Sequence, residues 1–147
     1  MGTTIHTEIE IEATPAQVWD VLTDFPAYPQ WNPFVVQIEG QPVVGAQLRA
    51  VIKPEGSKGM TFTPTVVEAT VRREFRWRGT LVSAAIMEGE HRFCIESGEN
   101  GRVRFVQAES FRGIFAPLIL ALIRTSTLAG FNAMNRALKE RSERMAK

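Results

Sequence analysis

The chain has 147 residues, 44% hydrophobic and 22% charged, with 17 basic and 16 acidic side chains for a formal charge of +1. This length suits one domain over residues 1–147 with a core of its own, and near-neutrality excludes a general nucleic-acid binder, which needs a basic surface to displace counterions. A single cysteine, Cys94, excludes an internal disulfide and a cysteine-cluster metal site, and it fits a reducing, cytoplasmic setting.

A first strand is predicted over residues 3–12. Ile5, Thr7, Ile9 and Ile11 share one face, and His6, Glu8, Glu10 and Glu12 share the other. These acidic residues leave no apolar stretch of signal-peptide type. A helix follows. Thr14 suits the N-cap, Pro15 the first helical position, and Gln17 completes a capping box, with Val18, Trp19, Val21 and Leu22 as the buried stripe. Residues 24–34 hold three prolines, which limit them to short helical turns.

Six further strands are predicted at about 34–40, 46–53, 60–69, 71–79, 82–96 and 102–112. Pro64 cannot donate to a ladder, so a bulge or break is expected there. Alternation sends Phe75 and Trp77 inward. It sends Arg72, Glu74, Arg76, Arg78, Glu90, Arg92, Cys94, Glu96, Arg102 and Arg104 outward as a mixed-charge lattice. Asn100-Gly101 marks the turn between the last two strands. Pairing Glu96 with Arg102 sets Ile95 opposite Val103, Phe93 opposite Phe105 and His91 opposite Gln107. On this register His91 and Glu109 lie one pairing step apart on the apolar face. Ionisable groups there are costly unless paired.

A long final helix is predicted from Pro117 to about Met145. Its second half carries an apolar stripe at Phe131, Met134, Leu138 and Met145. Its first half is apolar all round. The run Ile114 to Ile123 is about half of what a bilayer crossing requires, so no transmembrane segment is expected. Segment 115–123 is read either as packed under neighbouring loops, as a contact for a second copy in a homodimer, or as a portal that touches a membrane transiently.

Strand, helix pair, six strands and a long terminal helix make an α+β layered fold. With this order the chain resembles the START-type helix-grip superfamily, also called SRPBCC or polyketide cyclase/dehydrase and lipid-transport proteins. The residues that carry the resemblance are 13–19 (ATPAQVW), 28–34 (YPQWNPF), 77–79 (WRG), 89–93 (GEHRF) and 109–113 (ESFRG) ahead of the last helix. It implies a curved antiparallel seven-stranded sheet wrapped around the C-terminal helix, two short helices after the first strand, and an apolar cavity between sheet and helix.

The inward faces then supply the expected ligand contacts. These are Trp31, Phe62, Phe75, Trp77, Phe93, Phe105, Phe131 and Met134, with His91, Gln107 and Glu109 as the polar groups. For most of the apolar residues the plainer role is core. For His91 the plainer role is a histidine satisfied by Glu109 or Gln107. The leading expectation is a binder or carrier of a small hydrophobic molecule. The alternative is a cyclase- or dehydrase-like enzyme with His91 and Glu109 as acid and base. A third is a co-chaperone-type interaction domain. No glycine-rich phosphate loop or GxSxG is present, and the two histidines fall on opposite faces, so neither cofactor nor metal is expected.

Overall fold

A computed structural model describes residues 3–81 and 83–146. Strand β1 (Thr4–Ile11) leads into helix α1 (Pro15–Thr23), a single 3₁₀ turn (Phe25–Ala27) and helix α2 (Tyr28–Trp31). The strands β2 (Val35–Glu39), β3 (Arg49–Ile52), β4 (Met60–Phe62), β5 (Thr65–Thr70), β6 (Glu74–Leu81), β7 (Met87–Ser97) and β8 (Val103–Arg112) follow, and helix α3 (Ala116–Met145) closes the chain. Val82, where the fifth of the six predicted strands begins, lies outside the described residues.

Helix α1 starts where its sequence dictates. The Gln17 N–H donates to Thr14 Oγ1 at 3.2 Å, and the Thr14 N–H donates to Gln17 Oε1 at 2.8 Å. This reciprocal pairing satisfies two backbone donors that a helix start otherwise leaves orphaned.

Two antiparallel sheets form, in the orders β1-β8-β7-β6-β5 and β2-β3-β4. The strand predicted over 60–69 is divided into β4 and β5 at Thr63-Pro64. Pro64 has no N–H to give, but its carbonyl accepts from the Leu48 N–H at 2.8 Å, and a bridge between Gln47 and Thr65 joins the sheets. A bulge between Val35 and Gln37 turns Val35, rather than Val36, into the core.

The register of β7 on β8 differs from the sequence-based expectation by two residues. Glu96 pairs with Arg104, Ile95 with Phe105, Phe93 with Gln107 and His91 with Glu109. The loop centres on Asn100, not Glu99, because Asn100 (φ 57°) and Gly101 (φ 75°) take the left-handed conformations that Asn and Gly tolerate. A slip of two leaves every side chain on its predicted face, whereas a slip of one would have inverted both strands. His91 and Glu109 are therefore direct cross-strand partners rather than one step apart.

The outer face is a charge lattice. Arg76 pairs with Glu74 and, at 2.9 Å, with Glu90; Arg102 meets Glu10 at 2.7 Å; Arg104 meets Glu8 at 2.9 Å. Cys94 lies on this face too, yet packs with Val106 and Ala108 and is only 8% exposed.

Helix α3 is used unevenly along its length. Phe131, Met134 and Leu138 are fully buried in the grip of the sheet, and Lys139 Nζ donates to the Glu10 carbonyl at 3.0 Å. In the first half Leu120 is buried, whereas Leu118 and Leu122 are 62% and 79% exposed. By length and composition α3 is the one helix among the described residues that could cross a bilayer, more than the ten-residue apolar run suggests. Here its second half is committed to the sheet.

Candidate functional site

An apolar cavity of about 260 Å³ lies between the first half of α3, the β3–β4 hairpin and the adjoining parts of β6, β7 and β8. Ile52, Met60, Phe62, Trp77, Leu81, Met87, Phe111, Ile119 and Ile123 provide most of its wall. The polar groups are fewer: Ser57, Thr80, Ser126, Thr127, His91 and Glu109, the last two being the only ionisable residues of the wall among the described residues.

Strand pairing brings His91 and Glu109 together. His91 Nδ1 stands 3.5 Å from Glu109 Oε1. The other carboxylate oxygen lies over Gly89, where a Cβ would collide with it, so a side chain at 89 would push the carboxyl away. The His91 ring is held on its faces and edge by Phe93, Phe131 and Trp77, with ring centres 4.4, 4.8 and 5.2 Å away.

Behind His91 runs a buried polar chain. His91 Nε2 is 2.9 Å from Gln107 Oε1. Gln107 Nε2 donates to Asn135 Oδ1 at 2.7 Å and to the Phe131 carbonyl at 3.3 Å. Asn135 Nδ2 donates to Thr7 Oγ1 at 2.8 Å, and the Thr7 hydroxyl donates to the Gln107 carbonyl at 2.8 Å. The ring of bonds links β1, β8 and α3 and satisfies groups that are otherwise expensive inside a protein. Gln107→Leu should therefore cost about 2–3 kcal/mol in urea unfolding, since it strands the His91 and Asn135 partners without water. A variant as stable as the parent would show that the chain braces nothing.

Burial dominates the electrostatics. It raises the Glu109 carboxyl from 4.5 to about 8. It lowers His91 from 6.5 to about 4, against an opposing pull from the Gln107 hydrogen bond. Burial thus favours the uncharged form of both groups, and the carboxyl faces the imidazole at the cavity wall.

Of the predicted contacts, Phe62, Trp77, His91 and Glu109 line the cavity. Phe75, Phe93, Phe105, Phe131 and Met134 lie beyond its wall, at most 1% exposed, as the aromatic core of the closed end. Gln107 stands behind His91 and not at the wall. Trp31 packs against Tyr28 on α2, outside the cavity, at a centre distance of 5.1 Å. Ile119, Ile123, Ser126 and Thr127 join the wall unforeseen: the first two lie in a helix segment apolar all round, which marks no single face, and the last two are small polar residues beyond it. Asn135 and Thr7 were equally unforeseen in the polar chain. Thr7 carried a usable signal, as the single polar residue on the isoleucine face of β1. Among the described residues no three His, Cys, Asp or Glu side chains stand close enough to hold a metal ion.

A family model described as "Polyketide cyclase / dehydrase and lipid transport" matches residues 2–143. Among solved structures, the chain is similar to the Zhui aromatase/cyclase from a Streptomyces species (16% identity, TM-score 0.77, covering 98% of this chain and 95% of that one). It is also similar to a START superfamily protein from Mycobacterium smegmatis (18%, TM-score 0.74, 97% and 98%). A third is the hypothetical protein jhp0584 from Helicobacter pylori (18%, TM-score 0.76, 97% and 89%). At these identities the likeness is one of fold. No curated protein sequence matches the chain.

Proposed function

The chain belongs to the polyketide cyclase/dehydrase and lipid transport family, and on that premise we propose that it binds a small hydrophobic molecule in the cavity beneath α3. The observation that carries this reading is the cavity itself. Its wall is almost wholly apolar, yet it holds about 260 Å³ of space that the core does not fill. The pocket opens partly to solvent, so a hydrophobic guest that enters it takes apolar wall out of water, which is favourable. The guest is small, below the usual 300–1,000 Å³ of drug-sized pockets.

Native mass spectrometry of freshly purified protein tests this directly, by the mass of a retained guest. A fluorescent hydrophobic probe should also bind the folded protein with one-to-one saturation. Ser126→Trp, which fills the cavity from the helix side, should weaken probe binding at least tenfold while the Tm stays within a few degrees. Probe binding that ignores this plug would place the site elsewhere.

A second reading comes from one specific observation, a carboxyl and an imidazole 3.5 Å apart at an apolar wall. Such a pair suits proton transfer beside a carbonyl, the chemistry of a cyclase or dehydrase. The two readings part on turnover. Under the enzymatic one, Glu109→Gln and His91→Gln each abolish conversion while the substrate still binds, and the double variant is no worse than either single one.

A further inference from the structure

Apolar packing alone leaves the polar end of the cavity without a role, and any role for that end rests on the cavity being the hydrophobic site proposed for it. The direction of each hydrogen bond behind His91 is fixed by chemistry. The Phe131 carbonyl can only accept, so the Gln107 atom facing it is the amide nitrogen. That nitrogen's other proton goes to Asn135 Oδ1. Gln107 Oε1 is left as an acceptor, so the His91 Nε2 beside it must be the protonated nitrogen. Nδ1 therefore carries a bare lone pair, and it points at Glu109.

The 3.5 Å between Nδ1 and Glu109 Oε1 is longer than a formed hydrogen bond. The wall thus presents an acceptor of fixed direction and, next to it, a carboxyl whose O–H is not taken up by it. The carboxyl occupies the space that the missing side chain of Gly89 leaves. Among the described residues no lysine or arginine lines the cavity, so an anionic guest finds no counter-charge from them.

We propose that this site recognises an uncharged hydroxyl on an otherwise apolar guest, the hydroxyl donating to His91 Nδ1 and accepting from Glu109. One oxygen can reach both groups at normal hydrogen-bond lengths. A purely hydrocarbon guest leaves both unsatisfied, and buried groups left unpaired penalise the wrong ligand.

The test is a set of two-ring compounds titrated into the full-length protein at pH 7: 2-naphthol, naphthalene, 2-naphthoate and 2-naphthylmethylamine. Binding is followed by tryptophan fluorescence, since Trp77 is part of the wall. The naphthol should bind at least tenfold tighter than each of the other three. Glu109→Gln should hold the naphthol within about threefold, because the amide N–H replaces the acid O–H as donor. Glu109→Leu should bring naphthol down to the level of naphthalene. Equal affinity for naphthol and naphthalene, unchanged by Glu109→Leu, would overturn the hydroxyl assignment and leave the hydrophobic site standing. Tighter binding of the amine or the carboxylate would also overturn it. If the folded protein binds none of the four, the cavity reading itself fails, and the assignment with it.

Discussion

Replacing Glu109 with glutamine is expected to stabilise the protein by about 3 kcal/mol at pH 8 and to change it little at pH 5. Burial holds the Glu109 carboxyl at about 8 against an ordinary 4.5, so the folded state keeps a proton that the unfolded chain releases. Its contribution is complete below pH 4.5 and is lost as pH rises towards 8. His91 works in the opposite sense. Held at about 4 against 6.5, it contributes fully above pH 6.5 and loses that contribution as pH falls towards 4. Between pH 4.5 and 6.5 the two slopes oppose each other and the pair gives a plateau. Above 6.5 only the Glu109 slope remains, and the parent should lose about 2 kcal/mol by pH 8 at about 1.4 kcal/mol per pH unit. The side chain keeps 17% of its surface open towards the cavity, so water there moderates the full cost. Urea unfolding at pH 5, 6.5 and 8 measures the effect. Parallel curves for parent and variant would mean that Glu109 ionises freely in the folded protein.

The second large effect lies in the closed end. Phe131→Ala should cost about 3–5 kcal/mol, the range for removing a buried aromatic ring. Phe131 is wholly buried, meets Phe34 edge-on at 5.5 Å and His91 at 4.8 Å, and offers its carbonyl to Gln107. Its neighbour Gly130 has no side chain, which lets the Phe34 ring lie directly on the helix. One truncation thus opens a cavity and loosens the support of the polar chain. Leu122→Ala, at a position 79% exposed in the same helix, should stay within about 0.5 kcal/mol. Denaturant midpoints compare the two, and similar losses would contradict the uneven use of α3.

Local chemistry explains which parts of this architecture could be read in advance. The start of α1 was legible because Thr14, Pro15 and Gln17 act only on their own helix end. The faces of β6, β7 and β8 were legible because alternation is a property of each strand alone. The register of β7 on β8 was not, since it depends on which loop residues take positive φ, and Asn100 and Gly101 moved the centre by one position. The cavity wall was half legible. Phe62, Trp77, His91 and Glu109 follow from strand parity. Telling them from the core residues Phe75, Phe93 and Phe105 requires distance along the sheet from the closed end, which no periodicity encodes. Asn135 was hidden for a related reason. Its partner Gln107 is 28 positions away, and only the packed helix brings them together.

Helix α3 thus has one end surrounded by packed neighbours and the other facing unfilled space. This difference governs how the sequence can vary. Near Phe131 and Asn135, a change of size or polarity meets a side chain that must move in turn, so substitutions there have to come in matched sets. At Ile119, Ile123 and Ser126, and across the cavity at Met60 and Phe62, a larger or smaller side chain reshapes the hollow before it disturbs the sheet. Two short segments can therefore drift towards a different guest one substitution at a time, and each intermediate keeps the means to fold.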